Sequence, residues 1–163
     1  YDFSETILNG KIKPYHTFIK DNVKIGVFGI GVELEGLVDK RLYKKTKYNN
    51  PVLTANKIAK ELKSTEKCDL IICLSHLGYE YKSDKISDVK LAAQTKNIDL
   101  IIGGHTHTFL DKPTVIRNLA NKKTFVTQVG WAGINLGRLD FNVHTDKNYS
   151  VSFQNIRIES KRF

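Results

Sequence analysis

The stretch CDLIICLSHLG, residues 68–78, decides how this chain folds. Leu70 through Leu74 form an unbroken apolar run of strand length, with no polar alternation to wet one face. Such a run is expected of a strand covered on both faces, as in the middle of a parallel sheet. The run ends on Ser75 and His76, and Gly78 behind them lets the chain turn away.

Upstream, Asn50 followed by Pro51 reads as a helix cap with proline at the first helical position. Val52, Ala55, Ile58, Ala59 and Leu62 then recur at helical spacing, which predicts a helix over 51–64. Residues 31–49 carry Gly, Lys and Tyr without a period, a length at which loops tend to be functional. Before them, KIKPYHTFIK (11–20), the turn Asp21-Asn22 and VKIGVFGI (23–30) read as a hairpin with a buried, central second strand. Pro14 assigns the first strand to an edge.

Downstream, Ser87 caps a helix bearing Val89, Leu91, Ala92 and Ala93 as far as about Lys96, and IDLIIGG (98–104) is a second buried strand. Strand, helix, strand, helix, strand implies parallel β/α units. After residue 112 the short segments TVIRN, KTFVTQVG, NLGRLDFNV and YSVSFQNIRIES are joined by the polar junctions LANK and HTDKN. They predict an antiparallel meander appended to the parallel core. The expected fold class is therefore α/β, in a single domain over 1–163, with no repeat and no dividing linker.

Composition excludes several functions. A chain of 163 residues is long enough to bury ~68–70% of its unfolded surface. No apolar run exceeds five residues, far short of the ~20 that span a bilayer. The N-terminus has neither a basic n-region nor an apolar h-region, so no signal peptide is read here. The formal net charge is +9, but 21 of the 26 basic residues are Lys, dispersed without a stripe of aromatics. That pattern coats a solvated face and argues against nucleic-acid binding. Cys68 and Cys73 sit five residues apart around one strand, so they are expected as buried free thiols.

Two of the five histidines stand one residue apart in GGHTHT, residues 103–108. Ligands of open α/β sheets bind beyond the carboxyl ends of the strands, and His76 and His105 occupy two such ends. If the backbone stays extended, His105 and His107 project to one side, and three imidazoles could converge on a divalent ion. Gly103 and Gly104 clear the space beside it. The simpler reading of any single histidine is a hydrogen-bonded loop residue, and His16 and His144 are read that way. Trp131 and Tyr79 follow site-forming segments and either wall an entrance or merely pack.

CDLIICLSHLGYEYKSD, DVKLAAQTKNIDLIIGGHTHTFLDKP and TFVTQVGWAGINLGRLDF resemble consecutive blocks of the calcineurin-like metallophosphoesterases, in their 5′-nucleotidase branch. The resemblance runs from about Lys11 to Val143. It implies part of an αββα sandwich, and metal-dependent hydrolysis of phosphate monoesters, nucleotides among them. It implies that His76 and His105 bind one metal of a dinuclear pair, zinc, manganese or similar, and that His107 binds the other. Export to the periplasm or cell envelope is also implied.

The family's Asp-x-His, Gly-Asp and Gly-Asn-His-Glu motifs are not found in these 163 residues. The chain is therefore expected to be the C-terminal half of a catalytic domain, needing an N-terminal half in cis or in trans. By itself it is expected to be inactive and to hold at most one ion weakly. Two cations ~3.5–4 Å apart need a bridging anion. Asp69 and Asp99 begin their strands and are poorly placed to supply it; Asp84, Asp88 and Asp111 remain candidates. A non-catalytic metal-binding or partner-pairing module is the alternative. An exposed strand edge or apolar face, and with it self-association as a homodimer, is expected of a half-domain.

Overall fold

The structure, a computed structural model, describes residues 1–144 and 148–158. Two strands open the main sheet: β1 (Tyr15–Lys20) and β2 (Val23–Ile30) pair antiparallel around Asp21 and Asn22. Both turn residues have positive φ, 49° and 63°, the geometry that matches the twist of a two-residue hairpin. A one-turn helix, α1 (Lys40–Tyr43), follows within the irregular stretch, its Arg41 amide met by the Asp39 carboxylate. Helix α2 (Pro51–Ser64) starts where the sequence places it, because the Asn50 side chain accepts from the Leu53 amide at 3.0 Å.

Strand β3 (Leu70–Ser75), helix α3 (Asp88–Ala93) and strand β4 (Leu100–Ile102) complete the predicted alternation. They are followed by β5 (Thr114–Arg117), β6 (Lys123–Thr127), β7 (Asn135–Val143) and β8 (Tyr149–Arg157). The main sheet runs β1-β2-β3-β4-β6-β5, and β7 and β8 form a separate antiparallel ribbon. β2, β3, β4 and β6 are mutually parallel, which gives the α/β class. The strands after residue 112 do form two antiparallel hairpins, but not one meander. β6 docks in parallel against β4, Phe125 opposite Leu100, and so extends the core sheet while β5 takes the edge. Within the predicted junction 144–148, residues 145–147 lie outside the described residues, as do 159–163.

Helices cover one face. α2 packs on β2 and β3, and α3 on β5 and β6. Their apolar stripes meet Phe28, Ile71, Cys73, Ile101 and Val126 in one buried cluster. Cys68 and Cys73 are both buried and free. On the other face the β7–β8 ribbon covers β6, where Phe141 and Tyr149 pack on Phe125 and the Tyr149 hydroxyl donates to Asp99. Beyond the ribbon that face is open: Leu74 is 49% and Ile102 40% exposed. Cover on both faces was expected for β3, and the structure provides it on one face along the whole strand only. No helix among the described residues is long and apolar enough to cross a membrane.

Candidate metal site

His76 follows β3 directly, and its amide donates to the Ile30 carbonyl at the end of β2, 2.8 Å away. His105 stands three residues beyond β4, where the Gly103 amide donates to Thr127 O at the end of β6. Parallel pairing thus places both histidines at the same, carboxyl edge of the sheet. Their rings meet edge to face, centroids 5.1 Å apart. Two imidazoles sharing one tetrahedral ion at ~2.0–2.1 Å have ring centres about 5 Å apart, so this pair fits one divalent cation. A Cβ at Gly104 would lie 3.0 Å from His76 Nδ1, so glycine there is what lets the loop come so close.

His107 does not project as an extended strand would dictate. Residues 103–108 form a turn in which His105 and His107 both adopt left-handed backbone, φ 72° and 53°. His107 stacks on Trp131, centroids 5.9 Å apart and planes 14° from parallel. Among the described residues no group of three His, Cys, Asp or Glu is placed to hold an ion. The pair of imidazoles fits; the donor set from these residues is partial. Asp84 and Asp111 are exposed in turns, and Asp88 is buried beneath Gly103, where it accepts from the Ser75 hydroxyl. His16 and His144 are exposed; His16 lies within strand β1, its ring stacked on Phe18, where a loop residue was expected.

Electrostatics favour the ligand form of His105. Its partial burial holds the pKa below the usual imidazole value, and the charges of His76, Lys85 and His107 add to the same effect. The ring is thus neutral, with a lone pair free, in neutral solution. A groove of about 1010 Å³ runs from residues 1–14 past Gly29 and Leu74 to His76, so that ring is reachable from solvent.

Beneath the two turns lie buried polar residues that sequence reasoning assigned otherwise or missed. Asp88 is fully buried, accepts from the Ser75 hydroxyl, and leaves Oδ2 without a hydrogen-bond partner. Its backbone amide donates to Gly78 O, fastening α3 to the turn after His76. Gln128, which directly follows β6, reaches under the GGHTHT turn; its only signal in the sequence is its position at a strand end. Tyr79 is half-buried, its hydroxyl paired with Thr114, so it packs and does not wall an entrance. Trp131 is 56% exposed and does border the site.

A family model described as calcineurin-like phosphoesterase matches residues 5–109, which include all three histidines. The chain belongs to that family. It is 37% identical over 147 residues to the trifunctional nucleotide phosphoesterase protein YfkN of Bacillus subtilis (strain 168), covering 86% of this chain and 9% of that protein. A 5′-nucleotidase of Vibrio cholerae is 27% identical over 169 residues, 92% of this chain and 31% of its own length. The fold is shared with the 5′-nucleotidase precursor of Thermus thermophilus, with a TM-score of 0.74 at 24% identity over 96% of this chain and 32% of that one. This phosphoesterase chain thus spans about a third or less of the relatives it matches.

Proposed function

We propose that this chain supplies His76 and His105 as ligands to one divalent ion, and His107 to a second, in a metal-dependent phosphomonoester hydrolase acting on nucleotides. The observation that carries the proposal is the 5.1 Å pairing of His76 and His105 at the carboxyl edge of the sheet. The names of the relatives, a nucleotide phosphoesterase and a 5′-nucleotidase, support the substrate class. Divalent ions such as zinc or manganese supply neutralisation of the phosphoryl oxygens and activation of water. The chain's own residues do the rest of what can be assigned: His105 and His76 offer ring nitrogens, Gly103 and Gly104 keep side chains out of the way, and the Trp131 ring holds His107.

With two donors converging, the remaining ligands, including a bridging carboxylate, come in this reading from outside these 163 residues, in cis or in trans. The chain is then the second half of a catalytic domain, and it works in an exported protein.

The test is hydrolysis of nucleoside monophosphates by the intact protein with added manganese or zinc. His76→Ala and His105→Ala are each expected to lower kcat/KM by at least about 100-fold. The 163-residue chain alone is expected to show little or no turnover. Activity that survives both substitutions would overturn the assignment. Zinc binding without any phosphatase activity in the intact protein would favour a non-catalytic metal-binding module.

A further inference from the structure

Gln128 is 2% exposed, and burying a carboxamide is unfavourable unless its donors and acceptors are met. Its Nε2 donates to Gly104 O at 2.7 Å, and its Oε1 accepts from the Thr106 hydroxyl at 3.1 Å and from the Thr108 amide. A carbonyl can only accept and an amide N–H can only donate, so these partners allow one orientation of the side chain. The Thr106 hydroxyl also accepts from the Tyr79 amide at 2.9 Å and lies 3.0 Å from the Thr108 hydroxyl; its single proton goes to Gln128, with Thr108 as the donor in that contact. Tyr79 lies three residues after His76. One chain of hydrogen bonds therefore runs from the end of β6, through the His105 turn, into the His76 turn.

The contacts of Gln128 fall at residues 104, 106 and 108, bracketing the two left-handed residues His105 and His107. Side chains other than glycine disfavour that backbone, and it persists only where the surroundings over-determine it. Gln128 is the buried side chain that meets the turn on both sides of each strained residue.

We propose that Gln128 is the positioning residue of the site: it fixes the turn carrying His105 and His107 and, through Thr106, aligns that turn with His76. Its value to catalysis rests on the metal reading above. Gln128→Met keeps length and volume without donor or acceptor, Thr106→Val removes the hydroxyl at constant shape, and Thr106→Ser keeps it. In the metal-free chain, NMR should show cross-ring contacts between His76 and His105 and between His107 and Trp131. Gln128→Met and Thr106→Val are expected to lose both while the spectra stay dispersed, and Thr106→Ser to retain them. Cobalt(II) added as the probe, followed by its visible bands, should bind Gln128→Met and Thr106→Val at least about tenfold more weakly than the wild type.

Retention of the ring contacts and of cobalt affinity in Gln128→Met and Thr106→Val, whatever their melting temperatures, would sink the proposal. If Gln128→Met fails to fold, Thr106→Val against Thr106→Ser decides. Loss of the ring contacts, together with cobalt binding that His76→Ala and His105→Ala leave unchanged, would uphold the positioning role and remove the metal reading instead.

Discussion

Gly103 and Gly104 lie side by side at the end of β4 and face different neighbours. A methyl at Gly104 would stand 3.0 Å from His76 Nδ1, close enough to push the ring by a few tenths of an ångström. Gly104→Ala is thus expected to weaken zinc binding about tenfold, read by calorimetry, and to change the melting temperature little. A methyl at Gly103 would collide with Asp88 Oδ2, inside a packed interior. Gly103→Ala is expected to lower stability in urea by about 1–3 kcal/mol. Asp88 itself gives a pH signature. Burial raises its pKa from 3.8 to about 7, against the opposing bond from Ser75. The folded chain keeps a proton that the unfolded chain releases, so this contribution to stability is full below about pH 4 and is lost as pH rises through 7. Relative to Asp88→Asn, the wild type should lose on the order of 3 kcal/mol between pH 4 and pH 8 in denaturant titrations. The sequence made His76 and His105 legible because strand ends and glycines are local signals. It did not reveal that Asp88, a candidate there for the bridging anion, turns inward beneath Gly103 behind the capping Ser87.

Among the elements, α2 was legible to the residue. Its cap and its proline are adjacent in sequence, and its buried stripe of Ala55, Ile58, Ala59 and Leu62 repeats at helical spacing. Asn50→Ala removes the one side chain that meets the Leu53 amide, and should lower stability by about 1 kcal/mol in equilibrium urea unfolding. Strand β6 shows the reverse case. KTFVTQVG has the alternation of any half-buried strand, and nothing in it states whether the partner is the neighbouring β5 or the distant β4. Both pair with it, one antiparallel and one parallel. Helix α1 escaped notice because four residues leave no period to read.

Over the whole molecule, the sheet has a helix-covered face and a face closed only where the β7–β8 ribbon lies on Phe125. The uniform apolar run at 70–74 could not disclose that difference, since an exposed Leu74 and a buried Cys73 look alike in sequence. The folded chain should therefore bind an apolar dye such as ANS, and the pair Leu74→Asp and Ile102→Asp should reduce that fluorescence while the melting temperature stays near the wild-type value. The left-handed backbone at His105 and His107 carries a last consequence. Each such residue forgoes roughly 1–2 kcal/mol that glycine would recover. His105→Gly should accordingly melt a few degrees higher than His105→Ala. A lineage selected for robustness alone would drift toward glycine at both positions; under the proposed metal reading, durability is traded there for chemistry.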